Sequence, residues 1–218
     1  AIEEAQSAYK ALLVDTPDDV ELLHLLAISH GQTGDVKAAE QYIKAAISLS
    51  AQSAELFISY ANILKYKGDK EQAWSLYNKA LSIDPEHAVP HYNLALKLLH
   101  SDTKKAQSHL QDAIHFKPDY LDANHVLIQL YHSHFAFDKA ERVIHSAMQN
   151  TNAHPSLLKY RAQNLQYQKQ HQDAIVCFQE YLAEIPEDFK AHHHLAAAYL
   201  EFDDIYGGSF FYRISSSV

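Results

Sequence analysis

The chain is poor in the residues that carry most recognisable chemistry. It has one cysteine in 218 residues, so Cys177 cannot form an intrachain disulfide. Glycine is scarce, at five residues, and we find no phosphate-binding glycine loop. We also find no nucleophile elbow and no paired carboxylates in a plausible cleft. We therefore predict a protein that is not an enzyme and that needs no cofactor.

The chain also lacks the features of a membrane or nucleic-acid protein. No apolar run approaches the ~20 residues that cross a bilayer. The formal net charge of −9 argues against a basic surface for nucleic acid or anionic lipid. We expect no nucleic-acid partner and no membrane span. With a single cysteine, a cytoplasmic location is the default expectation, and Cys177 is expected to be a semi-buried structural thiol.

What the chain does have is a repeat of about 34 residues. The repeating positions hold alanine, at Ala5, Ala39, Ala73, Ala106, Ala140 and Ala174, at spacings of 34, 34, 33, 34 and 34. Prolines follow four of these alanines at a distance of twelve residues, at Pro17, Pro85, Pro118 and Pro186. A fixed period of this length predicts stacked copies of one small structural unit, each presenting a small residue where two helices cross.

Each unit contains two amphipathic segments. Bulky apolar residues stand four positions after each alanine, and apolar residues recur at helical spacing on both segments. Gly34-Asp35 and Gly68-Asp69 lie between the segments, where glycine ends one helix and aspartate begins the next. The prolines then close the second helix. The unit is therefore a helical hairpin.

At this point the chain resembles the tetratricopeptide repeat family. The stretch from Ala54 to Pro85 matches the family's marked positions best, at Phe57, Tyr60, Ala61, Leu64, Gly68, Asp69, Ala73, Tyr77, Ala80 and Pro85. The resemblance implies an all-α fold, an α-α superhelix built as a right-handed solenoid of hairpins. We assign residues 1–200 to this array, with a partial unit at 1–19 and units starting at residues 20, 54, 88, 121, 155 and 189.

Residues 201–218 have two alternative interpretations. The repeat places Gly208, Tyr212 and Ser215 at the marked positions of a degenerate final helix, whereas Phe210 to Ile214 is equally typical of a strand or a C-terminal tail. The chain lacks an initiator methionine and starts within a second helix. These features suggest an excised piece of a longer protein.

The resemblance also implies a binding surface, because first helices of such repeats line a concave groove. The family's groove positions include Ile28, Gln32 and Glu55. Those we expect to bind a peptide are Ile58, Asn62, Lys65, Tyr66, Tyr92, Leu96, Leu99, His100, His125, Gln129, His132, Lys159, Gln163 and Tyr167. Exposed aromatic residues with polar neighbours suit an extended peptide or a partner helix. The alternative is that Ile58, Leu96 and Leu99 only pack between adjacent units.

One specialised groove can be rejected. Family members that bind the C-terminal carboxylate of heat-shock chaperones have asparagines where this chain has Asn62 and Asn93. They also need lysine and arginine where this chain has Ile58, Asp122 and Val126. A carboxylate would meet too little positive charge there.

The sixteen histidines raise the question of a metal site. His192, His193 and His194 are consecutive on a helix and point about 100° apart, so they cannot share one ion. His125 and His132 lie on one face, with His100 on the preceding unit, but no acidic or cysteine ligand completes a site. We predict no metal.

Three functional hypotheses remain. The first is a non-catalytic module that binds a peptide or protein segment in the groove. The second is a targeting or scaffold region of a larger bacterial enzyme, for example a transferase. The third is self-association through exposed terminal hairpins.

Overall fold

The computed structural model describes residues 2–206, and every regular element in that range is an α-helix. The twelve helices are α1 Ile2–Asp15, α2 Val20–Gln32, α3 Val36–Leu49, α4 Ala54–Lys67, α5 Lys70–Ile83, α6 Ala88–Leu98, α7 Thr103–Phe116, α8 Leu121–Ser133, α9 Phe137–Asn150, α10 Pro155–Tyr167, α11 His171–Glu184 and α12 Phe189–Tyr206. The prediction of an all-α fold is confirmed for this range.

The helix ends are made by the residues that the sequence marks for them. Asp35 accepts the backbone N–H of Ala38 at the start of α3, and Asp69 does the same for Gln72 at the start of α5. Gly34 and Gly68 have φ of 80° and 94°, the left-handed conformation that closes the preceding helix. The turn of each hairpin therefore follows from a glycine–aspartate pair.

Two further hairpins make the same turn without glycine. Phe135 and Lys169 occupy the left-handed position with φ of 55° and 62°. Their backbone N–H groups bond the carbonyls of His132 and Gln166, as the N–H of Gly68 bonds that of Lys65. A side chain in this conformation is strained by about 1–2 kcal/mol.

The core lies along the predicted columns. Alanines 39, 73, 106, 140 and 174 are fully buried, and so are the residues four positions on, which are Ile43, Tyr77, Leu110, Ile144 and Phe178. Because the alanine side chain is small, the two helices of a hairpin can pack closely where they cross. Leu12 on α1 and Ala196 on α12 depart from the pattern, since both are exposed.

The structure divides into two compact units, Ala1–Phe116 and Lys117–Val218. In the first, α1 packs on α2, and three hairpins follow, formed by α2 and α3, α4 and α5, and α6 and α7. In the second, the hairpins of α8 with α9 and α10 with α11 are followed by α12, which packs on α11.

The last helix runs to Tyr206, past the predicted end of the array at residue 200. The alternatives for Gly208, Tyr212 and Ser215 fall outside the described residues. None of the described helices is both long enough and apolar enough to span a bilayer.

Candidate functional site: the first-helix faces

The first compact unit has a groove between α2 and α4. Its volume is about 490 Å³. The lining residues come from two first helices and the start of α3, and they are Ile28, Gly31, Gln32, Val36, Glu55, Ser59, Asn62, Ile63 and Tyr66. Five of them stand at the family's groove positions, and two, Asn62 and Tyr66, are among the peptide-binding residues expected from the sequence.

The remaining four lining residues were missed by the sequence reasoning. Gly31, Val36, Ser59 and Ile63 lie beside the groove positions rather than on them. Gly31 faces Ile63 across this wall, and a Cβ built on Gly31 would make ordinary van der Waals contact with Cγ1 of Ile63 at 3.7 Å. A glycine inside a helix, where it costs stability, was the available signal at this position.

Polar contacts join α2, α4 and the turn before α6 along this groove. His24 Nε2 lies 2.7 Å from Ser59 Oγ, and His87 Nε2 lies 3.2 Å from a carboxylate oxygen of Glu55. Burial lowers the pKa of His24, and the nearby Glu55 and Glu21 partly oppose that shift. His24 is therefore uncharged at neutral pH, and this end of the groove carries acidic charge.

Further along α4, the amide of Asn62 lines the groove, whereas the cation of Lys65 contacts α6. Asn62 is exposed, and its Oδ1 accepts a hydrogen bond of 2.6 Å from the hydroxyl of Tyr77. Lys65 donates from Nζ to Oδ1 of Asn93 at 2.7 Å. Desolvation lowers the pKa of Lys65. Because its bonded partner Asn93 is a neutral amide, that contact leaves the lysine charge uncompensated.

Tyr66 is the most exposed aromatic side chain of the groove, at 72%. It lies four residues after Asn62, which places these two side chains on one face of α4. Its hydroxyl lies 3.8 Å from the position that a Cβ on Gly34 would take, so the ring leans over the turn of the preceding hairpin.

The apolar part of the predicted site is placed differently. Ile58 is only 3% exposed, belongs to the buried cluster of the α4–α5 hairpin and does not line the groove between α2 and α4. Tyr92, Leu96 and Leu99 are half-buried on or just after α6, and His100 is exposed in the following turn. The burial of Ile58 is in line with the packing alternative, because its cluster also contains Leu94 of the next unit.

In the second unit three of the predicted residues bond side chains of the next first helix. His125 Nε2 lies 2.8 Å from Ser156 Oγ, Gln129 donates to the Tyr160 hydroxyl at 2.7 Å, and His132 donates to Asn164 at 3.1 Å. These three bonds form a ladder from α8 to α10. The ladder explains the polar residues at these positions as links between neighbouring repeats.

Lys159 and Tyr167 are also engaged in this unit. Lys159 donates to Asp188 at 2.7 Å. The ring of Tyr167 stacks on Phe137 with centroids 5.4 Å apart and meets His132 edge-on at 5.1 Å. Gln163 is half-buried on α10. The cation and the aromatic ring expected to meet a ligand are thus used within the unit.

The side chains that could hold a metal ion in the described range are not those weighed from the sequence. They are His91, His109 and Asp112 on the hairpin of α6 and α7.

Comparison with known proteins agrees with this architecture. The family model for the tetratricopeptide repeat matches residues 20–53 and 54–87. A BBSome complex member, BBS4 from Xenopus tropicalis, is 33% identical over 101 residues, which are 46% of this chain and 20% of that protein. The chain thus spans about a fifth of the length of this relative.

Solved structures show the same fold at low sequence identity. YrrB, a protein of these repeats with an unusual peptide-binding site, has a TM-score of 0.63 at 16% identity, covering 85% of this chain and 96% of that one. PilW, a type IV pilus biogenesis factor, has a TM-score of 0.69 at 15% identity, covering 90% of each chain. The C-terminal part of a repeat protein from Cytophaga hutchinsonii has a TM-score of 0.68 at 16% identity, covering 99% and 84%.

The repeat period, the hairpins, the family match and the structural neighbours lead to one conclusion. Residues 20–53 and 54–87 match the tetratricopeptide repeat family, and the described part of the chain has the fold of solved proteins built from these repeats.

Proposed function

We propose that the chain is a non-catalytic interaction module that binds an extended peptide segment of a protein partner in the groove between α2 and α4. The observation that carries this proposal is the face of α4 where Asn62 and Tyr66 border a groove of about 490 Å³. This face combines an amide and an exposed aromatic ring about one helical turn apart, and Lys65 adds a cation on the adjoining face of α4.

Asn62 is held ready to bind a peptide backbone. Its oxygen already accepts from Tyr77, so its amide N–H groups are what it offers to a ligand. A peptide carbonyl is the matching acceptor. The bond from a buried tyrosine also restricts the rotation of the asparagine, which lowers the entropy lost on binding.

Lys65 and the apolar wall add side-chain selectivity. Desolvation disfavours the charged form of Lys65, and a carboxylate from a ligand would stabilise it by a charge-assisted hydrogen bond. Ile28, Val36 and Ile63 line the same groove and would take an apolar side chain, with Tyr66 packing over it. We therefore expect ligands in which an aspartate or glutamate lies near an apolar residue.

The second unit is a weaker candidate for the same role. His125, Gln129 and His132 bond Ser156, Tyr160 and Asn164, and a ligand would have to compete with those bonds. The peptide-binding site named for YrrB and the complex membership named for the BBSome relative describe those proteins. They support the general proposal that this chain binds proteins.

A random dodecapeptide display library tests the proposal. We expect selection on the whole chain to enrich sequences with an acidic residue near an apolar one. Synthetic peptides of the enriched sequence should lose about tenfold in affinity, roughly 1.4 kcal/mol, with either Asn62→Ala or Tyr66→Ala. The affinity would be measured by fluorescence anisotropy.

Tyr167→Ala is the matched control, because Tyr167 holds the position of Tyr66 in the other unit. We expect it to leave the affinity unchanged. Failure of the library to enrich any sequence, or equal losses for Tyr66→Ala and Tyr167→Ala, would contradict the assignment to the first unit.

The finer expectations stay predictions. A scaffold role within a larger enzyme is tested by an immunoblot of source cells for the size of the native polypeptide. Self-association is tested by sedimentation at several concentrations, and the cytoplasmic location by fractionation.

A further inference from the structure

The hairpin of α6 and α7 brings two imidazoles and a carboxylate together. His91 Nδ1 lies 2.9 Å from His109 Nδ1 and 3.8 Å from Oδ2 of Asp112. One ligand atom from each of the three residues lies within 4.8 Å of the others. His109 and Asp112 are three residues apart on α7, so both face α6 on the same side of the helix.

The outer hydrogen bond of His91 sets its protonation. Nε2 lies 2.9 Å from the carbonyl oxygen of Pro85, which can only accept, so Nε2 carries the proton and donates. In the neutral ring Nδ1 then holds a lone pair, which faces His109 and Asp112. Histidines that bind metals typically donate their second ring N–H to a backbone carbonyl or a carboxylate in this way.

The surroundings suit a neutral second imidazole and a third ligand that reaches solvent. Burial and the neighbouring His91 lower the pKa of His109, against an opposing effect of Asp112. His91 is 9% exposed, while the side chain of Asp112 is 46% exposed and reaches solvent. Phe116 packs against the His91 ring with centroids 5.7 Å apart and gives the cluster an apolar wall.

We propose that His91, His109 and Asp112 bind a divalent transition-metal ion, with zinc as the best match. The ligand set is two imidazole nitrogens and one carboxylate oxygen, and a water completes a tetrahedron on the exposed side. Zinc–nitrogen bonds of about 2.0–2.1 Å place two tetrahedral nitrogens about 3.3 Å apart. The two Nδ1 atoms therefore need to separate by only a few tenths of an ångström.

The same position in other hairpins shows that the Pro85 bond does not explain the histidine. Asn124 donates to the carbonyl of Pro118 at 3.1 Å, and His192 donates to that of Pro186 at 2.8 Å. Asparagine thus makes the structural bond as well as histidine does. What distinguishes His91 is that its other ring nitrogen faces His109 and Asp112.

This recurrence supplies a conservative variant. His91→Asn keeps a donor for the Pro85 carbonyl, as Asn124 is the donor to Pro118 in its own hairpin. The substitution removes the Nδ1 ligand. His192→Asn is the matched control, because it changes a histidine with the same proline bond outside the cluster. The chain has sixteen histidines, so a control for adventitious binding is essential.

The experiment is titration of the untagged, chelator-treated whole chain with Co²⁺, followed by visible absorption, and with Zn²⁺, followed by calorimetry. We expect the wild type and His192→Asn to bind one equivalent of Zn²⁺ more tightly than any further equivalent. With Co²⁺, both should show the visible absorption of a tetrahedral site. His91→Asn, His109→Asn and Asp112→Asn should weaken that equivalent by about 100-fold or more.

Thermal unfolding without metal checks that the variants fold. If His91→Asn does not fold, His109→Asn and Asp112→Asn test whether the cluster binds the metal, since both replace less buried side chains. The proposal is overturned if the wild type binds no tight equivalent. It is also overturned if the cluster variants bind Zn²⁺ as the wild type does, which would assign the binding to other imidazoles. Neither result bears on the peptide groove, which involves other side chains.

Discussion

Asp188 holds the last described hairpin of the second unit together, and we expect its substitutions to separate two kinds of contact. Oδ2 accepts from Lys159 at 2.7 Å and from the Tyr181 hydroxyl at 2.8 Å. Oδ1 accepts the backbone N–H groups of Lys190 and Ala191 at 3.0 and 3.1 Å. One carboxylate thus caps α12 and ties it to α10 and α11.

Asp188→Asn removes the charge and keeps the cap. The side chains of Lys159 and Asp188 are 24% and 17% exposed, so their ion pair is partly shielded from water. Loss of the charge should cost about 1–2 kcal/mol, between the values for exposed and buried pairs. Asparagine still accepts the N–H groups at the helix start, because it caps as well as aspartate.

Asp188→Ala removes both contacts. We add about 1 kcal/mol for the lost cap and about 1 kcal/mol for the lost bond to Tyr181, giving about 3–4 kcal/mol in total. Urea unfolding gives the total, and hydrogen exchange of the α12 amides locates it. Equal losses for asparagine and alanine would refute the assignment of the cap. A loss below about 0.5 kcal/mol for asparagine would refute the ion pair.

The same cluster predicts that folding stability falls at both low and high pH. The hydrogen bond from Lys159 is the largest cause that holds the pKa of Asp188 well below its usual range. The contribution of Asp188 to stability is therefore present above about pH 4 and is lost as the pH falls further. Burial, with Asp188, raises the pKa of Tyr181 to about 12. Its contribution is therefore present below about pH 10 and is lost between pH 10 and 12. In pH-dependent unfolding, Asp188→Ala should remove the fall at low pH and reduce the fall at high pH, since the burial of Tyr181 remains.

Three further predictions concern single positions. Ala61→Leu overfills a helix crossing where the alanine is fully buried, and should cost about 1–3 kcal/mol in urea unfolding. Lys169→Gly should stabilise the second unit by about 1 kcal/mol, because it relieves a side chain at φ of 62°, whereas Gly68→Lys should destabilise the first by a similar amount. A thiol reagent should modify Cys177 only as the chain unfolds, since the side chain is 7% exposed and burial raises its pKa; rapid labelling of the native chain would contradict this.

The sequence predicts the hairpins well because small residues at helix crossings admit few alternatives. Ala39 and Ala73 are fully buried, and the turns at Gly34 and Gly68 have the expected left-handed backbone. These features depend on contacts within one repeat, and the residues that make them recur with the repeat period in the sequence. Lys169 was not anticipated at such a turn, because its side chain gives no local sign of a positive φ.

The candidate site was predictable only in part, because it depends on which neighbours lie across a helix face. Asn62 and Tyr66 are at the groove, but Ile58 turns into the core, and periodicity alone does not separate those outcomes. The pair His91 and His109 lies 18 residues apart, and its meeting depends on the register of the hairpin. A histidine at a position that holds Leu23 and Phe57 in the preceding repeats was the available signal.

The recurring bond to a proline carbonyl has a consequence for how such an array can change over time. Asn124 and His192 make it in their hairpins as His91 does in its own. Because either side chain satisfies the same carbonyl, the position can exchange asparagine for histidine while the backbone keeps its bond. A repeat protein built this way can gain or lose a ligand in one hairpin by a single substitution, and the neighbouring hairpins need no adjustment.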